Sequence, residues 1–113
     1  MHEMSLAEGV LQLIEDSAKA QDFSRVRAVW LEIGQLSSVE PEAMRFCFDA
    51  VMRGTLAEGA RLEIVIVDGG GQCANCGQTV RIAAVYDACP ACGGHPVTPL
   101  VGTAMRVREL EVE

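Results

Sequence analysis

The sequence predicts an α+β fold: a small three-stranded sheet with two helices, interrupted by an inserted four-cysteine module. Three observations carry that expectation. Two stretches repeat apolar residues at helical spacing, and three others read as strands. Between the last two of those strands, the segment GGGQCANCGQTVRIAAVYDACPACGGHP holds four cysteines and few large apolar residues. A chain of 113 residues suffices for one modest core plus a satellite that a metal or a disulfide must hold together.

Ser5, with Glu8 three residues on, reads as a capping box, and Leu6, Val10, Leu13 and Ile14 follow at helical spacing. The first helix is therefore expected to start at about Ser5, leaving Met1, His2 and Glu3 as a short lead-in. Arg25 to Ile33 is rich in β-branched and aromatic residues and stops at Gly34, which predicts a strand with Trp30 as a core aromatic. Pro41 suits the first turn of a second helix with Glu40 before it, and Met44, Cys47, Phe48, Val51 and Met52 then form an apolar stripe that Gly54 ends. Cys47, on that stripe, is read as buried core, and Met44 and Met52 as core filler. Arg61 to Val67, RLEIVIV, is a second strand, apolar enough to be buried on both faces, and Met105 to Val112 is a third. Helices over one sheet is the expected layering, with residues 1–68 and 100–113 in an α/β domain and residues 69–99 in the inserted module. The run Gly69 to Gly71 at its entrance reads either as a hinge or as a plain flexible connection. It is no phosphate loop, because no Gly-Lys-Ser/Thr follows.

Composition excludes several classes of function. A formal charge of −7 opposes nucleic-acid binding, which draws its affinity from Lys and Arg displacing counterions. The chain has no apolar run long enough to span a membrane, and its N-terminus has neither the basic flank nor the cleavage motif of a secretory signal. A cytoplasmic protein without membrane or nucleic-acid partners is expected. Five cysteines leave one over if they pair as disulfides, and a reducing compartment disfavours disulfides in any case, so four grouped cysteines point to metal.

Cys73-Ala-Asn-Cys76 and Cys89-Pro-Ala-Cys92 are two Cys-x-x-Cys pairs separated by twelve residues, the spacing of a zinc ribbon. Two intervening residues let one tight turn present both sulfurs to a single ion, and Gly77 and Gly93 free the backbone as it leaves each turn. Four thiolates leave Zn(II) no open position, so the site is expected to be structural rather than hydrolytic. The metallated chain then carries about −9. Iron is the competitor, since both Cys-x-x-Cys-Gly knuckles resemble those of rubredoxin, but the aromatic shell of such a centre is nearly absent, with only Tyr86 nearby. His95, three residues beyond Cys92, is either a zinc-proximal group or an ordinary loop histidine. With two histidines in all, a catalytic triad or a Cys/His apparatus has little material, and no enzyme activity is expected.

The other histidine is His2. The α-amine of Met1, the backbone amides of His2 and Glu3, and the His2 imidazole are nitrogen donors of the kind a planar Ni(II) or Cu(II) ion favours, and a carboxylate from Glu3 or Glu40 can replace one of them. Taken alone, those residues suit copper as well, and a frayed terminus is the plainer reading of so short a stretch. A wider pattern separates these readings. Met1-His2-Glu3-Met4-Ser5, then Ile33 to Ala43 (IGQLSSVEPEA), then Gly59 to Ile64 (GARLEI), both knuckles, and the closing Met105 to Val112 closely resemble the HypA/HybF family of hydrogenase maturation nickel chaperones over essentially the whole chain. The resemblance implies that His2 is the principal Ni(II) ligand, assisted by backbone nitrogens of His2 and Glu3, and that Glu40 occupies a position where some members offer a carboxylate. It implies structural Zn(II) on Cys73, Cys76, Cys89 and Cys92. Some members place histidines beside both knuckles, whereas this chain has only His95 there. It further implies a maturation GTPase as partner and a hydrogenase large-subunit precursor as recipient. The expectation is a metallochaperone, monomeric or weakly homodimeric; the alternative is a zinc-ribbon protein-interaction module without nickel function.

Overall fold

The computed structural model describes residues 3–113. Eight elements follow one another: α1 (Glu3–Gln21), β1 (Val26–Gly34), α2 (Pro41–Met52), β2 (Arg61–Val67), β3 (Gly70–Cys73), β4 (Thr79–Arg81), β5 (Val97–Val101) and β6 (Met105–Val112). They form two three-stranded sheets, ordered β2-β1-β6 and β4-β3-β5. The α+β class with two helices and an inserted module is what the patterning predicts, and the module proves to have a sheet of its own.

The chain divides into two compact units, one holding the residues up to Leu31 with Val39–Ile64 and Arg106–Glu113, the other Glu32–Ser38 and Val65–Met105. In the first, α1 packs on α2. Ala7, Val10 and Ile14 form the buried stripe of α1, while Leu13 stays 44% exposed. The expected capping box does not form: Glu3 is already helical, and Ser5 and Glu8 lie exposed on the helix. An acidic Glu3 in the first turn complements the helix dipole there. Gly9 sits within α1 with nothing within 4 Å of where a Cβ would stand. Gly9→Ala is therefore expected to raise unfolding stability by about 1 kcal/mol through helix propensity alone, measurable by urea denaturation.

Glu40 is the N-cap of α2, its carboxylate accepting from the Glu42 N–H at 3.1 Å, and Pro41 takes the first turn. Met44, Phe48 and Met52 are buried at four-residue spacing, which leaves Cys47 half-buried at the flank of the stripe rather than in the core. Phe46, on the opposite side, is 74% exposed.

Strand β1 is central and is buried along most of its length. Strand β2, expected to be buried on both faces, is instead an edge strand with Arg61 and Ile66 exposed and its other residues half-buried. An edge strand has a neighbour on one side only, so β-branched content alone does not bury it. Trp30 is half-buried, not enclosed, with the Arg61 guanidinium 5.5 Å from its ring centroid in a cation–π contact.

In the second unit β3 pairs antiparallel with both β4 and β5, Gln72 standing opposite Thr79 on one side and Thr98 on the other. The Gly69 to Gly71 run is neither hinge nor loose connection. All three glycines are buried, and a Cβ on Gly69 would stand 2.5 Å from the Ile82 carbonyl oxygen, while one on Gly71 would overlap that of Thr98. Glycine is required there because neighbouring backbone comes too close for any side chain. Cys73, Ile82, Cys89 and Val97 make the small core of this unit, with Leu36 and Val80 against it.

Candidate metal centre

Two turns of the same construction carry the four cysteines. After β3, the Gly77 N–H donates to the Cys73 carbonyl at 2.8 Å and the Cys73 N–H to that of Gln78 at 2.9 Å. The second turn repeats this, with Gly93 donating to Cys89 at 2.7 Å and Cys89 to Gly94 at 2.9 Å. Gly77 and Gly93 have φ of 78° and 75°, the left-handed conformation that the Cys-x-x-Cys-Gly pattern anticipates.

Backbone amides converge on the sulfurs these turns present. Asn75 and Cys76 donate to Cys73 Sγ at 3.3 and 3.4 Å, Ala91 to Cys89 Sγ at 3.4 Å, and Gly94 to Cys92 Sγ at 3.3 Å. Across the turns, Cys73 Sγ lies 3.7 Å from Cys92 Sγ, Cys76 Sγ lies 3.8 Å from Cys89 Sγ, and all four are within 4.8 Å of one another. A tetrahedron with metal–sulfur bonds of about 2.3 Å has edges of about 3.8 Å. The sulfurs therefore fit one four-coordinate ion with little adjustment, and the amides around them stabilise thiolate charge. Cys73 and Cys89 are buried, whereas Cys76 and Cys92 reach the surface.

The shared site drives two thiols apart. The Asn75 side-chain amide, at 3.5 Å, and the Gly94 N–H lower Cys92 to about 6. At Cys76 the Gln78 backbone lowers the value, but desolvation and its thiol neighbours outweigh it and push it up to about 11. Such divergence is what sulfurs competing for protons show before a metal displaces them. The Cys92 thiol, lowered to about 6, gives up its proton to metal more readily than the Cys76 thiol, raised to about 11, and falling pH returns protons to both. Asn75→Ala removes the main donor to Cys92, so protons should compete with metal at higher pH. Its zinc-release curve is expected to shift upward by about half a pH unit, read with a chromogenic chelator.

Among the described residues, the clustered ligand atoms are those of the four cysteines, and His95 is an exposed loop residue outside that cluster. Met1 and His2, on which most of the expected nickel site falls, lie outside the described residues. The structure does bring Glu3 and Glu40 together: Glu3 Oε2 accepts from the Glu40 N–H at 3.1 Å, joining the start of α1 to the N-cap of α2. That bond is the main cause holding the Glu3 carboxyl below the usual carboxylate range. Sequence reasoning missed two of these features. Asn75, inside the first knuckle, is an amide donor that spacing rules do not single out. The Glu3 side chain joins a residue 37 positions away, and no local pattern encodes that pairing.

Fold and site together define a small α+β protein carrying a four-thiolate metal module of the zinc-ribbon kind. A family model described as hydrogenase/urease nickel incorporation, metallochaperone, hypA matches residues 1–112. Proteins named hydrogenase maturation factor HypA from Albidiferax ferrireducens and Dechloromonas aromatica are 62% and 60% identical to this chain, each over the full length of both chains. The solution structure of the Ni metallochaperone HypA from Helicobacter pylori superposes with a TM-score of 0.73 at 26% identity, covering 99% of this chain and 97% of that one. A second solution structure, of a HypA protein, gives 0.69 at 26% identity over 100% and 97%. The chain belongs to the HypA family of nickel metallochaperones.

Proposed function

We propose that this chain is a non-enzymatic metallochaperone that binds Ni(II) at its N-terminus and delivers it during nickel-iron hydrogenase maturation, with Zn(II) as a structural ion on Cys73, Cys76, Cys89 and Cys92. The observation that most supports it is the family match over residues 1–112. The chemistry agrees: four thiolates close the zinc site, so a transported ion needs a different and more open one. His2 supplies the imidazole and an amide nitrogen, Glu3 a backbone amide, and the Met1 α-amine a further nitrogen. Glu40 uses one carboxylate oxygen to cap α2 and keeps the other for the ion. The hydrogen bond from the Glu40 N–H to the Glu3 carboxylate, which joins the N-cap of α2 to the start of α1, supports a role for Glu40 in that site. Cargo held by amides, an amine and an imidazole is displaced by protons, so nickel affinity falls with pH.

In this reading residues 1–68 and 100–113 carry nickel and residues 69–99 carry zinc. The partners are the hydrogenase maturation GTPase and the hydrogenase large-subunit precursor; nucleic acid and membranes are not partners. The chain works in the cytoplasm as a monomer or weak homodimer. Among the described residues no helix is long and apolar enough to cross a membrane.

Calorimetric Ni(II) titration of untagged, zinc-loaded protein beside His2→Ala tests the assignment. One nickel per chain is expected in the parent. The variant should bind more than about 100-fold more weakly, since a direct ligand matters more than the groups that only hydrogen-bond to ligands, whose loss costs about 10–100-fold. Zinc content should stay constant. Equal titrations would remove the nickel site and leave a zinc-ribbon interaction module.

A further inference from the structure

We infer that the four-cysteine centre is also a site of oxidative modification, at which a peroxide closes two disulfides across the knuckles, Cys73 to Cys92 and Cys76 to Cys89, and expels the zinc. The inference rests on the zinc assignment above and on the placement of the sulfurs. Each cross-knuckle pair joins one exposed and one buried cysteine: Cys92 with Cys73 at 3.7 Å, and Cys76 with Cys89 at 3.8 Å. Peroxide reaches the outer sulfur, and the inner one stands behind it as the resolving group. Closing either pair needs the sulfurs to approach from their present contact to about 2.05 Å.

Pairing across the knuckles follows the sulfur contacts of 3.7 and 3.8 Å, and the turns hold the buried sulfurs in place for it. The Asn75 and Cys76 amides both point at Cys73 Sγ, at 3.3 and 3.4 Å, and the Ala91 amide points at Cys89 Sγ at 3.4 Å. These hydrogen bonds hold each buried sulfur against the exposed sulfur of the opposite knuckle.

The step balances as follows. An outer thiolate attacks the peroxide O–O bond and becomes a sulfenic acid, and the released hydroxide takes a proton to leave as water. The inner thiolate then attacks that sulfur, forming the S–S bond, and the second oxygen takes a proton and leaves as another water. Each disulfide consumes one peroxide, two electrons from sulfur and two protons; two disulfides free one Zn²⁺.

The connectivity has a structural consequence. Cross-knuckle bonds keep the end of β3 tied to the second knuckle around the core of Cys73, Ile82, Cys89 and Val97, so the oxidised module stays assembled and reloads on reduction. In-knuckle bonds would leave the two turns unconnected.

The test uses the full chain, zinc-loaded and verified by elemental analysis, treated with two equivalents of hydrogen peroxide per zinc. Zinc release is followed with a chromogenic indicator, and disulfides are mapped by non-reducing digestion and mass spectrometry. Release of about one zinc per two peroxides is expected, with Cys73–Cys92 and Cys76–Cys89 as the main linkages and full reloading after a thiol reductant and zinc. Cys47→Ala, which removes the half-buried thiol on α2, should release zinc at an unchanged rate. Retained zinc, in-knuckle disulfides, or slower release from Cys47→Ala would each overturn the inference. Absence of zinc before peroxide would instead overturn the metal assignment, and the disulfide map of that metal-free protein would still decide the connectivity.

Discussion

Cys73→Ser is expected to lose zinc and to unfold the module while α1 and α2 remain helical. The reason is the size of the competing terms. The core of the second unit consists of Cys73, Ile82, Cys89 and Val97 with two half-buried neighbours, and burying an aliphatic side chain contributes about 1.5–3 kcal/mol. Ordering backbone costs about 1–2 kcal/mol per residue. Hydrophobic burial alone does not hold a segment as long as Val65–Met105, and structural zinc supplies about 10–16 kcal/mol in comparable peptides. Cys73 is 1% exposed, so its sulfur has no substitute from solvent, and a serine hydroxyl is a poor zinc ligand at neutral pH. Elemental analysis should find less than about a tenth of a zinc per chain, with helical circular dichroism at 222 nm largely kept. Full zinc occupancy would refute the four-sulfur assignment.

Gly71→Ala should weaken the same module without touching a ligand. A Cβ there would overlap the Thr98 carbonyl oxygen and stand 2.8 Å from the Thr98 carbonyl carbon and 3.1 Å from a Val97 methyl. The obstructing atoms are mainly backbone of the paired strand, in register with β3 next to Cys73 and Val97, so no rotamer change relieves the overlap. Separating β3 from β5 is expected to cost about 3 kcal/mol, which corresponds to a roughly 100-fold loss of apparent zinc affinity because metal binding and folding are one equilibrium. Competition against a calibrated chelator measures it. Unchanged affinity would mean that β3 slides away from β5 freely. Gly9→Ala, with open space around its Cβ, should act in the opposite direction.

Much of the architecture was legible because it follows local periodicity. Met44, Phe48 and Met52 repeat at helical spacing, and α2 spans Pro41–Met52 as its start and stop residues indicate. The three expected strands became β1, β2 and β6 within a residue of their expected limits. The knuckles were legible because metal spacing is itself local: Cys-x-x-Cys-Gly dictates a turn, and two such turns dictate a tetrahedron.

Errors arose where a residue's environment depends on its neighbours across the fold. RLEIVIV reads the same at the edge of a sheet as at its centre, and the order β2-β1-β6 decided that it is half-exposed. Trp30 was expected in the core and instead lies half-buried beneath Arg61. Ser5 and Glu8 match a capping box, but the helix begins earlier.

By itself, then, the sequence determined the element types, the four grouped cysteines, the net acidic charge, and the family. Those properties reside in composition and in spacings of a few residues, which folding does not alter. Only the tertiary structure decided that Gly69 to Gly71 are buried in close packing, Gly70 and Gly71 within β3, that each buried sulfur faces an exposed one from the other knuckle, and that Glu3 reaches the N-cap of α2. Each of these joins segments distant along the chain, and such contacts are set by strand order and packing, which no local pattern encodes.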